Sequence, residues 1–272
     1  MPPDSFADEM EFVSGPAAVG VNQTEGDKGQ SENLTEMETA GFSLSEILSM
    51  DKFRRRISRD YQRFLTTFTD ESGHSVYHAR IKAMCAANFE SLEVSYAHLV
   101  EANAFLAKLV LNVPSPTLEI FDEATMRIVL RLFEDYDRIK SEIHVRITDL
   151  PTSDQLRDLR YNHLNTLVKV SGVVTRRSGV FPQLKLVKYD CGRCGAILGP
   201  FVQDLQEEIK INACSECQAR GPFSVNAAQT VYRNYQKVSL QEAPGSVPAG
   251  RLPRHKEVIL LWDLIDSCRP GE

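Results

Sequence analysis

Two CxxC pairs in the middle of the chain constrain its fold more than any other feature of the sequence. Cys191 and Cys194 form the first pair, Cys214 and Cys217 form the second, and 19 residues separate the two pairs. Pairs roughly 15–20 residues apart are typical of a structural zinc site, in which four thiolates fill a tetrahedral shell and leave no position for a catalytic water. We therefore predict that one Zn²⁺ binds these four cysteines and folds residues 190–218 into a zinc ribbon.

Three other uses of the cysteines are less consistent with the sequence. A thioredoxin-like redox motif needs one CxxC pair within a βαβ unit, and no such pattern surrounds these pairs. The N-terminus does not have the pattern of a secretory signal, which favours an intracellular protein with reduced thiols over a disulfide framework. A hydrolytic zinc keeps a water position open, and the six histidines form no HExxH pattern. Gly192 and Gly195 are expected to supply positive φ angles in the first turn, and Cys85 is predicted to be a small core residue.

Charge is distributed unevenly along the chain. The formal net charge is −6, but residues 1–50 contain ten acidic residues and one basic residue, which leaves 27 acidic and 30 basic residues in the remaining 222. A mildly basic body behind an acidic tail is compatible with nucleic-acid binding. Because residues 1–50 are also poor in periodic apolar residues, we predict a disordered acidic tail. No apolar run approaches the ~20 residues that a membrane helix needs.

Hydrophobic periodicity divides the rest of the chain into a helical part and a β part. Over residues 51–142, "KFRRRISRDYQRFLTTF", "YAHLVEANAFLAKLVLNV" and "TLEIFDEATMRIVLRLFEDY" show apolar residues at helical spacing, which predicts a small helical bundle. From Ile143 onward apolar and polar residues alternate, which predicts roughly five short antiparallel strands in a small OB-fold barrel. The predicted fold class is α+β: an N-terminal helical bundle followed by an OB-fold β-barrel with an inserted zinc ribbon.

A basic stretch rich in Pro and Gly, "APGSVPAGRLPRHKE", joins the last two predicted strands in a β-hairpin at about residues 240–260. Arg251, Arg254 and Lys256 lie in this hairpin, and Arg176 and Arg177 lie in "VVTRRSG" on the predicted barrel. A stiff basic loop suits contact with nucleic-acid phosphates, so these five residues are candidate contacts. The alternative is that they are ordinary solvated charges, because basic patches are weak motifs.

Long segments of the sequence resemble the minichromosome maintenance (MCM) proteins. "VRITDLPTSDQLRDLRYNHLNTLVKVSGVV" and "YRNYQKVSLQEAPGSVPAGRLPRHKEVILLWDLID" are similar to the N-terminal half of that family. "LGPFVQD" and "CQARGPF" are similar to the branch that forms the second subunit of the eukaryotic hexamer. The resemblance covers the chain from about Phe53 to Glu272. It implies a helical A subdomain at residues 51–142 and an OB-fold with an inserted zinc ribbon at residues 143–272.

The resemblance also implies partners and a process. MCM proteins form a ring of six different subunits around single- or double-stranded DNA, and two such hexamers meet head to head through their ribbons. They act in the nucleus, in origin licensing and in the initiation and elongation of DNA replication. The resemblance further implies that the hairpin projects into the central channel. The acidic tail is a candidate histone contact, although no segment of it matches the histone-binding sequence of the family.

One departure from the family pattern bears on enzymatic activity. MCM proteins continue into an ATPase domain with a Walker A loop, and no GxxxxGK[ST] occurs in this sequence. Without a phosphate-binding loop the chain lacks the machinery for nucleotide hydrolysis, so ATP is expected only in a motor domain absent from this chain. The alternative function is a stand-alone zinc-ribbon and OB-fold protein that binds single-stranded nucleic acid through exposed aromatic residues. Its candidate aromatic residues are Phe181, Tyr189, Tyr232 and Tyr235.

Overall fold

The computed structural model describes residues 44–70, 73–203, 211–247 and 250–272. These residues lie in one compact unit, Leu44–Glu272. The predicted acidic tail, with its candidate histone contact, falls mostly outside the described residues. Its last residues differ from the prediction of disorder, because Leu44–Ser49 form helix α1 and Leu48 is buried in the hydrophobic core.

Helices make up most of the first part of the unit, as the periodicity predicts. After α1, they are α2 (Asp51–Thr67), α3 (Val76–Ala86), α4 (Tyr96–Ala102), α5 (Ala104–Asn112) and α6 (Pro114–Leu132). The apolar stripe predicted on α2 is confirmed, since Ile57, Tyr61 and Leu65 are buried in the core. The ring of Tyr61 stacks on that of Phe121 in α6 with centroids 3.8 Å apart. The core also contains Cys85, as predicted.

Asn103 divides a segment that the sequence predicts as one helix. Its backbone is extended, and its side-chain oxygen accepts hydrogen bonds from the backbone N–H groups of Phe105 and Leu106, at 3.0 and 3.4 Å. This is an N-cap, which satisfies N–H groups that the first turn of α5 leaves free. Helix α5 stops at Asn112, and Pro114 begins the next helix.

A two-stranded parallel sheet is part of the same core. Strand β1 (Ser91–Ser95) pairs with β2 (His144–Thr148), with Leu92 opposite Val145. The alternation from Ile143 onward correctly indicates a strand at β2. Its partner is β1, however, which lies among the helices, and the two strands are too far apart in sequence for periodicity to reveal the pairing.

The second sheet has five strands, all paired antiparallel: β3 (Val173–Cys191), β4 (Ile197–Val202), β5 (Phe223–Val225), β6 (Val231–Gln241) and β7 (His255–Leu261). The order is β4-β3-β6-β7, and β5 also pairs with β3. Three register shifts between β3 and β6 let the 19-residue strand β3 bend. Antiparallel strands are therefore confirmed. Within the described residues, β4 and β7 end the order and do not pair with each other.

Strand β3 connects the two groups of predicted site residues. Arg176 and Arg177 lie near its beginning, and Cys191 is its last residue. In the part of the chain that the structure describes, no helix has the length and apolar character needed to cross a membrane.

Candidate metal centre and nucleic-acid interface

The structure brings the four predicted cysteines into one cluster. Cys191 ends β3, Cys194 follows in the turn before β4, and Cys214 and Cys217 precede β5. Their sulfur atoms all lie within 4.8 Å of one another. The Sγ atoms of Cys191 and Cys217 are 3.7 Å apart, and so are those of Cys194 and Cys214. Each close contact therefore joins one cysteine from each CxxC pair.

The spacing of the sulfur atoms fits a tetrahedral metal site. A zinc–sulfur bond is about 2.3 Å long, and the edge of a tetrahedron is about 1.63 times the distance from its centre to a corner. The expected separation between sulfurs is therefore about 3.8 Å, and two of the observed separations are 3.7 Å. The four cysteines can hold one metal ion with every coordination position occupied by protein, which suits a structural role rather than catalysis.

Backbone hydrogen bonds shape the first CxxC turn. The Cys191 N–H donates to the Ala196 carbonyl at 2.9 Å, and the Gly195 N–H donates to the Cys191 carbonyl at 2.8 Å. Gly195 has a φ of +70°, as the sequence predicts. The same prediction is wrong for Gly192, which is absent from the residues with positive φ. The lack of a side chain at Gly192 instead allows the Pro222 backbone to lie close, because an added Cβ would be 3.1 Å from the Pro222 carbonyl oxygen.

The second CxxC turn repeats this pattern without glycine. The Cys214 N–H donates to the Ala219 carbonyl at 2.9 Å, and the Gln218 N–H donates to the Cys214 carbonyl at 3.1 Å. Gln218 occupies the position equivalent to Gly195 and has a φ of +55°. Glycine is the residue that usually indicates a positive φ, so the sequence does not predict one at this position. Two turns with matching hydrogen bonds therefore supply two sulfurs each to the cluster.

The electrostatics of the cluster favour a cation. The pKa of Cys191 is lowered to about 6 because the backbone N–H groups of Cys194 and Arg193 donate to its sulfur. The pKa of Cys194 is instead raised to about 12. The Ala196 N–H lowers this pKa, but hydrogen bonding with Cys217, burial and the other cluster thiols together raise it by more. Thiolates this close repel one another, so the second thiol resists the ionisation that the first accepts. A bound metal cation removes that repulsion and allows all four to be thiolates.

A small apolar core surrounds the cysteines. Cys191, Cys214 and Leu198 are buried, and residues from β3, β4 and β5 pack around them, among them Tyr189, Phe201 and Phe223. This core shares no residue with the larger core around the helices. Tyr189 belongs to it, with its ring centroid 6.2 Å from that of Phe201, so this tyrosine has a packing role.

The two arginines predicted on β3 lie on opposite faces of the sheet. Arg176 is opposite Ser239 and Arg177 is opposite Val238, so they are consecutive residues of a regular stretch. Arg176 is exposed. Arg177 forms an ion pair with Asp266, with Nη1 and Oδ1 3.0 Å apart. The structure therefore does not bring the two guanidinium groups together on one surface.

The three predicted basic residues of the hairpin lie in or beside the segment between β6 and β7. Arg251 is exposed. Arg254 is also exposed, but its backbone N–H donates to the Glu242 carboxylate at 3.0 Å. Lys256 is exposed on β7 opposite Leu240, on the other face of the sheet from Arg176. By register Lys256 therefore shares a face of the sheet with Arg177, not with Arg176.

The face that carries Arg176 contains further residues suited to nucleic acid. Phe181 pairs with Tyr235 across β3 and β6, with ring centroids 6.0 Å apart, and the Phe181 ring is half exposed. Lys237, two residues from Tyr235 along β6, is exposed on the same face. Phe181 and Tyr235 were predicted candidates, whereas Lys237 was not, although the period-two alternation of "YQKVS" places it on the same face as Tyr235.

Two family models match the chain in sequence order. Residues 58–149 match the MCM N-terminal domain, and residues 155–272 match the MCM OB domain. The chain is 54% identical over 230 residues to the DNA replication licensing factor mcm2 of Schizosaccharomyces pombe, which covers 85% of this chain and 28% of that protein. It is 51% identical over 241 residues to DNA replication licensing factor Mcm2 of Drosophila melanogaster, covering 89% of this chain and 27% of that protein.

A more distant match comes from Saccharolobus solfataricus. Its Minichromosome maintenance protein MCM is 30% identical over 215 residues, covering 77% of this chain and 31% of that protein. The chain thus spans between about a quarter and a third of the length of these curated relatives.

Proposed function

The chain belongs to the MCM family, and on that premise we propose that it is the N-terminal DNA-binding and assembly module of a second-subunit MCM protein, acting in DNA replication licensing. The observation that carries the proposal is the 54% identity over 85% of the chain to a protein named as a replication licensing factor. The two domain matches occur in the same order. The proposed cellular site is the nucleus, where licensing factors act on DNA.

The proposed domain organisation follows the sequence analysis. Residues 1–50 are the acidic tail, 51–142 the helical A subdomain and bundle, and 143–272 the OB-fold with a zinc ribbon at 190–218 and a hairpin at about 240–260. Two features cross these limits. Helix α1 lies within residues 1–50, and β1, within residues 51–142, pairs with β2, within residues 143–272. Zn²⁺ is the proposed metal of Cys191, Cys194, Cys214 and Cys217, and its support is the four-sulfur donor set at tetrahedral spacing.

The proposed partners are the other MCM subunits, in a hetero-hexamer and in a head-to-head double hexamer, together with DNA. ATP would bind in a motor domain outside this sequence. The test is size-exclusion chromatography of the full chain mixed with the other subunits. We expect co-elution in one assembly. A stable monomer that never co-assembles and binds single-stranded DNA tightly by itself would instead support the stand-alone nucleic-acid-binding protein.

Arg176, Arg177, Arg251, Arg254 and Lys256 are the proposed DNA contacts. All five are exposed, but Arg177 is paired with Asp266 and the Arg254 backbone is bonded to Glu242. Contacts to phosphate carry no sequence information, so binding should be insensitive to DNA sequence. In a ring, weak contacts from several subunits add because later contacts are intramolecular.

The salt dependence of binding tests the hairpin contacts. The slope of log K against log salt is negative, and each lost phosphate contact reduces its magnitude by about 0.7–0.9. The double variant Arg251→Ala/Lys256→Ala should therefore reduce the magnitude of the slope by about 1.4–1.8. The measurement is fluorescence anisotropy with several unrelated oligonucleotides, using the assembled hexamer where the lone chain binds too weakly. The control is Arg63→Ala/Lys82→Ala, which removes two exposed cations from α2 and α3. Equal slopes in the hairpin variant and wild type would remove the hairpin from the DNA-binding surface.

A further inference from the structure

The segment between β6 and β7 is closed at its base by a side chain as well as by backbone pairing. Glu242 directly follows β6, and Arg254 directly precedes β7. The Glu242 N–H donates to the Arg254 carbonyl at 3.0 Å. In return, the Arg254 N–H donates to Oε2 of the Glu242 side chain, also at 3.0 Å. These two hydrogen bonds close the base of the segment between β6 and β7, and its described residues, 242–247 and 250–254, are called here the β6–β7 loop.

The Glu242 carboxylate is held from a second side by Arg157. Nε of Arg157 donates to Oε1 at 2.9 Å, and Nη2 donates to Oε2 at 2.7 Å. This is a bidentate pair of charge-assisted hydrogen bonds, which fixes orientation as well as distance. The Glu242 side chain is only 4% exposed and that of Arg157 13% exposed. With three donors on one carboxylate, the buried charge is fully compensated. Hydrogen bonding to Arg157, followed by that to the Arg254 amide, lowers the pKa of Glu242 to about 2.

Arg157 is itself anchored to the domain. It lies in the 3-10 turn Leu156–Asp158, and Leu156 is buried. Just before this turn, the Asp154 N–H donates to the Lys169 carbonyl at 2.8 Å. The Arg157 carbonyl also accepts a long hydrogen bond from Nη1 of Arg254, at 3.4 Å. Glu242 therefore joins the base of the β6–β7 loop to a fixed segment 85 residues earlier in the chain.

The outer part of the loop contrasts with its base. Arg251 is exposed, and the Leu252 side chain is 88% exposed. Since these residues lie within three positions of Arg254, the direction in which they leave the sheet depends on how the base is held. We propose that Arg157 and Glu242 are positioning residues that fix the orientation of the β6–β7 loop. Its consequence for DNA rests on the function proposed above, whereas the orientation itself does not.

Amide hydrogen exchange of the full chain tests the positioning role. Glu242→Gln keeps the shape of the side chain but removes its charge and points an NH₂ group toward donors. We expect amides of the β6–β7 loop to exchange on the order of tenfold faster, with β3 amides around Val187 unchanged. The matched control is Glu257→Gln, which removes the same charge from an exposed residue of β7.

A second variant keeps the test informative if Glu242→Gln folds poorly. Arg157→Lys retains the positive charge but loses the planar fork, so it should accelerate loop exchange to a similar extent. The double variant should add little to either single change, because both remove the same interaction. Unchanged loop exchange in both single variants overturns the inference. Acceleration spread equally over β3 and β6 also overturns it, because the pair would then stabilise the whole domain.

DNA binding separates the positioning role from the proposed function. Faster loop exchange together with several-fold weaker DNA binding supports both. Faster loop exchange with unchanged DNA binding supports the positioning role and refutes a DNA contact by the loop. Weaker DNA binding without faster loop exchange overturns the positioning role and leaves the DNA contact standing.

Discussion

Removal of the metal should change the number of reactive thiols in the native chain from one to five. Of the six cysteines, four form the cluster, Cys85 is buried among the helices and Cys268 is partly exposed. In the metal-bound protein only Cys268 should react quickly with a thiol reagent. Because the proposed metal would supply the folding energy of residues 190–218, a chelator should expose all four cluster thiols. Cys85 should react only after denaturation.

The geometry sets the structural change expected on binding. The sulfur atoms lie within 4.8 Å of one another, whereas the edge of a zinc–sulfur tetrahedron is about 3.8 Å, so the longest separation should contract by at most about 1 Å. X-ray absorption at the zinc edge should show four sulfur neighbours at about 2.3 Å. Nitrogen or oxygen neighbours in that shell would contradict a site closed by these four cysteines.

Two single variants locate the effect. Cys214→Ser should abolish metal binding and leave four reactive thiols without chelator, the three remaining cluster thiols and Cys268. Cys268→Ser should give none before chelation and four after it. Helical circular dichroism should persist in both variants, because the helical core and the cysteine cluster share no residue. Absence of metal from protein purified without chelator, or loss of helical signal in Cys214→Ser, would refute the reasoning.

Two further predictions concern stability. Phe121→Ala should lower the free energy of unfolding by about 3–5 kcal/mol, because this ring is fully buried and stacked on Tyr61. The measurement is urea titration. The control is Phe89→Ala, whose side chain is 63% exposed and whose removal should change the free energy of unfolding by less than about 0.5 kcal/mol. Since the pKa of Glu242 is lowered from 4.5 to about 2, its contribution should be complete above pH 4.5 and disappear as the pH falls through 2. The stability difference between wild type and Glu242→Gln should therefore shrink over that range, and a carboxyl titration of Glu242 centred at 4.5 would contradict the buried pair.

The clustering of the four cysteines could be predicted from sequence because its information is local. A CxxC turn brings two sulfurs together within four residues, and the distance between the turns needs only to allow them to meet. The close sulfur contacts, Cys191 to Cys217 and Cys194 to Cys214, could not be predicted, because they depend on how β4 and β5 align on β3. The positive φ of Gln218 could not be predicted either, because glycine is the residue that usually adopts it.

The helical part shows the same limit. The stripe on α2 is visible because its period is strong over 17 residues. The break at Asn103 was missed because apolar residues continue through it, although Asn is a favourable N-cap residue. The β1–β2 pairing joins short strands across three helices, and no local pattern records such a partner.

The role of each charged residue was the property hardest to predict from sequence. A count of basic residues treats every cation alike, whereas the structure gives them different roles. Arg177 pairs with Asp266, and the backbone of Arg254 is tied to Glu242. Arg157 attracted no attention in the sequence, yet it forms a buried bidentate pair because its partner lies 85 residues away. Among the predicted DNA contacts, the exposed Arg251 and Lys256 should therefore contribute more to the salt dependence of binding than Arg177, whose charge is already partly neutralised within the protein.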